Sequence, residues 1–170
     1  AGDVNADGNA DLTVGSPGRT VSGQPESGKA FVISGASCTI IFSLSLGGSS
    51  LALAHFGESV SGAGDVNNDG FSDLIVGAHW ADPEGLIDAG SAFVYSGLDG
   101  SILYQWDGAA GGDSFGKSVS GAGGVNGGGF SDLLVGAFNA SPGCLTRAGS
   151  AYFYSRSACI PLFHLCWSTS

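Results

Sequence analysis

The chain is a succession of short apolar runs separated by polar turns rich in glycine and aspartate. Runs such as LIV at 74–76 and FVY at 93–95 are apolar at every position, which is typical of strands covered on both faces. No long stretch combines good helix formers with a sustained helical period. The pattern therefore predicts an all-β chain of short strands joined by tight turns.

The same order of segments occurs three times along the chain. Asp3, Asp65 and Gly124 begin equivalent stretches, which are separated by 62 and then by 59 residues. The same offsets align the segments GKAFVIS, GSAFVYS and GSAYFYS with one another, and they also align IIFSL, ILYQW and PLFHL. The last of these indicates that the C-terminal segment contains the final strand of the third copy.

Each complete copy predicts a four-stranded antiparallel meander. Such a small sheet cannot bury both of its faces alone, but stacking against the next copy covers them, as in a β-propeller. The predicted fold class is all-β, with β-propeller-type blades of four antiparallel strands in about three tandem repeats. We expect these repeats at 1–54, 55–113 and 114–170, and the first lacks its opening strand.

The start of each complete repeat carries a specific motif. FG at 56–57 is followed by GAG at 62–64 and then by the loop D-x-N-x-D-G-x-x-D, and FG at 115–116 is followed by a second GAG at 121–123. This arrangement resembles the FG-GAP repeat, which builds the seven-bladed propeller of integrin alpha subunits and of related surface proteins. The resemblance covers essentially the whole chain and implies an extracellular or cell-surface protein.

The charge of the chain is acidic and unevenly distributed. Five Lys and Arg against fifteen Asp and Glu give a formal net charge of −10, which argues against nucleic acid or an anionic membrane as a partner. Six of the twelve aspartates lie in two short segments, 3–11 and 65–73. Carboxylates this close together repel one another unless a cation or hydrogen-bond donors neutralise them.

Membrane insertion is not expected, because the longest apolar stretch, CTIIFSLSL at 38–46, is too short and too rich in serine to span a bilayer. No signal peptide is visible and the chain has no methionine, so we expect a mature product or a fragment.

Both acidic segments have the spacing of a calcium loop. Alternate side chains of a tight loop point their oxygens inward, and Gly70 permits the bend that folds the loop back. An all-oxygen ring of ligands is what Ca²⁺ prefers, whereas softer metals favour Cys or His. We predict two calcium sites, with Asn9 and Phe71 contributing carbonyl oxygens, built from Asp3, Asn5, Asp7, Asn9, Asp11, Asp65, Asn67, Asp69, Phe71 and Asp73. FG-GAP repeats use these positions for calcium, so the resemblance implies the same sites. The alternative is that the aspartates only cap turns.

The third repeat departs from this pattern. Gly124 and Gly128 replace two of the aspartates and leave Asn126 and Asp132 as side-chain ligands. Two side-chain ligands are too few for a calcium cage, so we predict that this loop holds no calcium or only a weakly held metal.

The remaining polar residues give weaker signals. Trp80 and Asp82 form the most contact-like pair in the variable loops, and Asn139 begins a sequon that is followed by proline. No catalytic constellation surrounds the histidines, so we predict packing roles for them and no enzyme activity: His55, His79 and His164. The cysteines lack paired C-x-x-C spacing, and both disulfides and buried thiols remain open for them: Cys38, Cys144, Cys159 and Cys166.

Three repeats are fewer than the four to eight blades of a typical propeller, so we expect exposed blade faces and sheet edges. Our first hypothesis is a secreted calcium-binding protein that self-associates, as a subunit of a fibre or a tube. The second is a fragment of an integrin-like adhesin or receptor whose complete propeller binds a protein or glycan ligand. The third is an accessory propeller of an enzyme encoded elsewhere.

Overall fold

The computed structural model describes residues 1–46, 53–125, 127–143 and 145–155. These residues form ten strands in three antiparallel sheets, which confirms the all-β prediction and the blade-like organisation. The strand predicted at 161–165 lies outside the described residues. None of the described segments forms a helix with the length and apolar character needed to cross a membrane.

Each sheet is an antiparallel meander whose strands follow one another along the chain. The first sheet contains β1 (Leu12–Ser16), β2 (Lys29–Ile33) and β3 (Ile40–Leu44); the second contains β4 (Ser59–Gly64), β5 (Asp73–Ala78), β6 (Ser91–Tyr95) and β7 (Ile102–Asp107); the third contains β8 (Phe115–Gly123), β9 (Asp132–Ala137) and β10 (Ser150–Tyr154). The first sheet starts with the strand that is second in the other two sheets, as the truncated first copy predicts.

The exposure of equivalent residues shows how the three sheets stack. Leu12 on β1 is 60% exposed, whereas its counterpart Leu74 on β5 is fully buried. On β9 the opposite face is open, because Leu134 is 42% exposed while its counterpart Ile75 on β5 is fully buried. The second sheet is therefore covered on one face by the first sheet and on the other by the third, as expected for neighbouring blades.

Two apolar cores lie between the sheets, and each is closed by the phenylalanine of an FG dipeptide. Phe56 packs in the core between the first and second sheets, with Val32, Leu74 and Phe93. Phe115 occupies the corresponding place between the second and third sheets. Both rings are at most 1% exposed, and burial of a phenylalanine side chain stabilises a fold by about 1.5–3 kcal/mol.

The glycine of the FG dipeptide allows the backbones of neighbouring sheets to approach closely. A Cβ atom added to Gly15 would lie 1.7 Å from the carbonyl oxygen of Gly57, and one added to Gly77 would lie 1.9 Å from that of Gly116. No side chain fits at either contact. Gly57 and Gly116 also have positive φ angles, of 87° and 82°, which other residues rarely adopt.

Candidate metal centres

The acidic loops lie at one edge of the stacked sheets and touch one another. Residues 3–11 lead into β1 and residues 65–73 lead into β5. The backbone N–H of Ser72 donates to the carbonyl oxygen of Asp3 (3.2 Å), and the N–H of Ser131 donates to that of Asp65 (3.3 Å). Each loop therefore contacts the loop of the next repeat, so the two predicted calcium sites are close neighbours.

In the second loop, side-chain oxygens accept hydrogen bonds from the loop's own backbone. Asp65 accepts from the N–H groups of Asn68 (2.6 Å), Asp69 (3.1 Å) and Gly70 (2.9 Å). The Asp69 carboxylate accepts from the N–H of Phe71 at 2.9 Å. The alternate residues 65, 67 and 69 all take part, because the Oδ1 atom of Asn67 accepts from Asp69 N–H at 3.0 Å.

The first loop repeats this geometry, although it differs from the second at three of the positions between the aspartates. The Asp3 carboxylate accepts from the N–H groups of Asp7 (3.0 Å) and Gly8 (2.8 Å). The Oδ1 atom of Asn5 also accepts from Asp7 N–H at 3.1 Å, and Asp7 accepts from Asn9 N–H at 2.9 Å. The aspartates and the asparagine that both loops share therefore form the same pattern of hydrogen bonds.

The last aspartate of each loop is a buried anchor for the backbone. Asp73 is fully buried; its Oδ2 accepts from Val66 N–H (2.8 Å) and its Oδ1 accepts from Gly97 N–H (3.0 Å). Asp11 likewise accepts from the N–H groups of Val4 at 2.7 Å and Gly35 at 3.0 Å. Each of these carboxylates joins the start of its loop to a later turn, which follows β2 in the first sheet and β6 in the second.

The same anchor is present in the third loop, where the other aspartates are missing. Asp132 is fully buried, and its Oδ2 accepts from Val125 N–H at 2.7 Å. Asn126 lies outside the described residues. The anchoring role explains why an aspartate stands at position 132 although Gly124 and Gly128 replace the other two carboxylates. Weak or absent calcium binding at this loop remains a prediction.

The loop aspartates influence one another electrostatically. Burial raises the pKa of Asp73, and the nearby charges of Asp69 and Asp65 raise it further, against hydrogen bonds from the backbone of Gly97 and Val66. In the first loop, hydrogen bonds from Asn9 lower the pKa of the exposed Asp7 carboxyl. A cation in the second loop would offset the repulsion that Asp73 experiences.

The donor set of both loops is suited to a hard cation. Each loop offers three carboxylates and two asparagine amide oxygens within nine residues, together with backbone carbonyls, and no Cys or His. A carboxylate oxygen that accepts one N–H keeps further lone-pair capacity for a metal ion. The ion pairs in the described part of the chain gather around Glu58 and do not involve the aspartates of these two loops.

The other predicted contact residues are dispersed. Trp80 is 41% exposed, and Asp82 accepts from the N–H of Asp88 at 2.8 Å, which shapes the 3₁₀ turn at Pro83–Gly85. Cys38 is exposed. The remaining cysteines and one histidine lie outside the described residues: Cys144, Cys159, Cys166 and His164.

The structure brings together a group of side chains that the sequence reasoning treated separately. His55, Glu58 and His79 each offer one ligand atom, and these atoms lie within 4.8 Å of one another. The Glu58 carboxylate also contacts the ammonium group of Lys117. Glu58 and Lys117 occupy the same position in successive repeats. Equivalent positions of stacked blades are neighbours, so a glutamate and a lysine at the same position of two successive repeats indicate an ion pair. This is the one signal in the sequence that points to the cluster.

Comparisons with known proteins agree with the repeat structure. A family model described as FG-GAP repeat matches residues 1–33 and 56–95. Integrin alpha-4 of Xenopus laevis is 34% identical over 158 residues, which cover 86% of this chain and 14% of the relative. Integrin alpha-3 of Cricetulus griseus is 35% identical over 148 residues, which cover 81% of this chain and 13% of the relative.

A third relative, integrin alpha-IIb of Mus musculus, is 32% identical over 157 residues, which cover 86% of this chain and 15% of the relative. The chain thus spans about one seventh of the length of the curated relatives it matches. The FG dipeptides close the cores between successive sheets, and the acidic loops recur at one edge. The chain therefore contains FG-GAP repeats and is homologous to integrin alpha subunits over most of its length.

Proposed function

We propose that the chain is a calcium-stabilised segment of an extracellular, integrin-like propeller that functions by binding a protein ligand and not by catalysis. The observation that carries this proposal is the pair of acidic loops stacked in register at one edge of the sheets. In this proposal the repeats are 1–54, 55–113 and 114–170, and the first two each hold one Ca²⁺.

The ligands that we assign to calcium are those predicted from the sequence. In the second loop the half-buried Asp65 and Asn67 and the exposed Asp69 provide side-chain oxygens. The Phe71 carbonyl adds another, and Asp73 closes the ring from the start of β5. The positions in the first loop are Asp3, Asn5, Asp7, Asn9 and Asp11. Bound calcium would lower the repulsion within each loop and hold it against the next.

The open faces of the outer sheets support a place within a larger assembly. Leu12, Val14 and Ile40 of the first sheet are 60%, 46% and 60% exposed. Leu12 pairs with Ile33, and Ile33 pairs with Ile40, so Leu12 and Ile40 share one face of the sheet. The counterparts of Leu12 and Val14 in the second sheet are covered by the neighbouring sheet, so this face suits another blade of the same type.

A second candidate function is self-association, because a second copy of this chain also offers a blade face. An open blade face at each end of the stack allows head-to-tail contacts, which give a ring or a filament. We propose this as the alternative, in which the protein is a subunit of a fibre or a tube.

Sedimentation velocity with and without calcium separates these two functions. Self-association predicts assemblies in calcium that dissociate when Leu12 and Val14 are both replaced by lysine. Leu98→Lys is the matched control, because Leu98 is 55% exposed in the turn after β6. Wild-type monomers at all concentrations would contradict self-association. The intact mass of the natural product completes the test, since the propeller-segment proposal requires a much longer parent chain.

A further inference from the structure

A polar cluster where the first and second sheets meet has the composition of a transition-metal site. We call His55, Glu58 and His79 the His/Glu cluster. His55 and Glu58 precede β4 and His79 follows β5, so the three side chains come from two separate parts of the second repeat. The ligands are two imidazoles and one carboxylate, a set typical of zinc and unlike the all-oxygen acidic loops.

Two of the three distances within the cluster are close to those of a tetrahedral ion, and the ligand atoms all lie within 4.8 Å of one another. Glu58 Oε2 lies 3.2 Å from Nδ1 of His55 and 3.3 Å from Nδ1 of His79. Zinc binds imidazole nitrogen and carboxylate oxygen at about 2.0–2.2 Å, which places neighbouring ligand atoms of a tetrahedron about 3.3–3.6 Å apart. Both separations are therefore close to the edge of a zinc tetrahedron before any movement of the side chains.

One nitrogen of the cluster is buried without a hydrogen-bond partner. His79 is only 2% exposed, and its Nδ1 atom has no hydrogen bond. This atom is directed toward Glu58 at 3.3 Å, on the side where His55 also lies. This contact is an ion pair only when the ring is protonated, so in the neutral ring coordination to a metal would satisfy a buried nitrogen that forms no hydrogen bond.

The surroundings hold the ligands in orientation. Glu26, from the β1–β2 connection, lies 2.9 Å from Nε2 of His55. A proton held on Nε2 leaves a lone pair on Nδ1, which lies 3.2 Å from Glu58, to bind a metal. Carboxylates placed in this way behind metal-bound histidines fix the ring and its tautomer. Trp80 packs against both imidazoles, with centroid distances of 4.3 Å to His55 and 5.0 Å to His79.

We propose that the His/Glu cluster binds a divalent first-row transition ion of the zinc class through Nδ1 of His55, Nδ1 of His79 and Oε2 of Glu58. The fourth position is open to water or to an external ligand. Because Glu26 belongs to the first repeat and the three ligands belong to the second, the ion would connect two successive blades. This site is chemically distinct from the calcium loops and independent of them.

The cluster is particular to the second repeat. The positions that correspond to His55, Glu58 and His79 in the third repeat are Ser114, Lys117 and Phe138. The third repeat has the same backbone turn, since Ser114 has a φ of 55° and His55 a φ of 52°, but it offers no imidazole or carboxylate. The ligand set therefore does not follow from the blade architecture.

Lys117 competes with the proposed ion. Its ammonium group contacts Oε1 of Glu58 and lies 3.4 Å from Nε2 of His79. A metal on Nδ1 leaves the Nε2 atom of His79 protonated, so both groups would then be donors and Lys117 would have to turn away. The lysine side chain is 38% exposed and has solvent to turn into. Removal of its charge should strengthen metal binding.

Calorimetric titration of the tag-free 170-residue chain with ZnCl₂, in saturating CaCl₂, tests the proposal. One high-affinity zinc site is expected in the wild type. His79→Phe, which installs the residue of the third repeat, should weaken binding at least 100-fold, and Glu26→Gln should weaken it about tenfold. Lys117→Met should tighten binding. An ion-pair network without a metal predicts no zinc binding in any of these proteins.

Cobalt absorption gives a second readout that does not depend on the stability of one variant. CoCl₂ bound to the wild type should give the intense visible bands of a tetrahedral site with nitrogen ligands, and Glu58→Gln should abolish them while circular dichroism stays unchanged. Zinc binding that is absent in the wild type, or equal in the wild type and His79→Phe, would overturn the proposal. Weak octahedral cobalt bands in the wild type would overturn it as well.

Discussion

Replacement of Asp73 by asparagine should destabilise the chain even when no calcium is present. The two carboxylate oxygens accept hydrogen bonds from the backbone N–H groups of Val66 and Gly97, at 2.8 and 3.0 Å. An asparagine side chain has only one oxygen, and its amide nitrogen would face one of these N–H groups. One buried donor then loses its partner, and the remaining hydrogen bond loses its charged acceptor.

The size of the effect follows from these two changes. An unsatisfied buried N–H costs about 1–3 kcal/mol, and a hydrogen bond to a charged group stabilises by about 1 kcal/mol more than a neutral one. The pKa of Asp73 is raised because burial and the charges of Asp69 and Asp65 disfavour its ionised form. Loss of the charge in the asparagine variant therefore offsets part of the destabilisation. We expect the free energy of unfolding in chelator to fall by about 2–3 kcal/mol.

Urea unfolding followed by circular dichroism, in EGTA and in calcium, measures this change. Asp132→Asn is the matched control, because Asp132 is also fully buried and lies in the loop that lacks the other two aspartates. We expect comparable losses for both variants in EGTA, and a further loss in calcium for Asp73→Asn alone. If Asp73→Asn unfolds with the wild-type midpoint in EGTA, its anchoring role is refuted.

Two further predictions concern the contacts between blades. Gly77→Ala should prevent native folding, because its Cβ atom would lie 1.9 Å from the carbonyl oxygen of Gly116. In the control Gly18→Ala the added Cβ atom has nothing within 4 Å, so this variant should keep the wild-type melting temperature. A soluble, natively folded Gly77→Ala variant would contradict the stacking of the sheets. Phe115→Ala should lower the free energy of unfolding, measured in urea, by about 3–5 kcal/mol. The control Phe138→Ala removes a ring that is 56% exposed and should cost less than about 0.5 kcal/mol. Equal losses for the two variants would place Phe115 outside the core.

The repeat pattern made most of the fold predictable from the sequence. Alignment of Asp3, Asp65 and Gly124 located the segments of all three sheets, because the strands of each blade recur at the same offsets. Such repetition is expected, since a single blade is not stable alone and must stack on its neighbours. The absence of an opening strand in the first sheet was predicted for the same reason. Runs such as LIV at 74–76 correctly indicated a strand covered on both faces.

The His/Glu cluster was not predictable in the same way. His55 and His79 are 24 residues apart and occupy different positions within the repeat, so no sequence motif connects them. They meet because the connection before β4 and the loop after β5 lie side by side where two sheets stack. Periodicity identifies what the repeats share, whereas this cluster depends on what distinguishes one repeat from the others.

The aspartate loops show a second limit of sequence reasoning. Spacing alone assigns Asp65, Asp69 and Asp73 to one kind of role, but the structure separates them by environment. Asp73 is fully buried and binds two backbone N–H groups, while the carboxylates of Asp65 and Asp69 are satisfied by the exposed loop around them. The difference in role follows from the difference in burial, which depends on the packing of the whole sheet and cannot be read from the aspartate spacing.

Calcium titration of the metal-free chain by calorimetry, with Asp69→Ala beside the wild type, tests whether the acidic loops hold calcium. We expect one ion for each of the two complete acidic loops in the wild type, and loss of the second-loop ion in Asp69→Ala. This variant should also melt earlier than the wild type in calcium and at nearly the same temperature in EGTA. No binding heat at millimolar calcium, or equal melting losses in both buffers, would contradict the claim and leave the aspartates as turn caps.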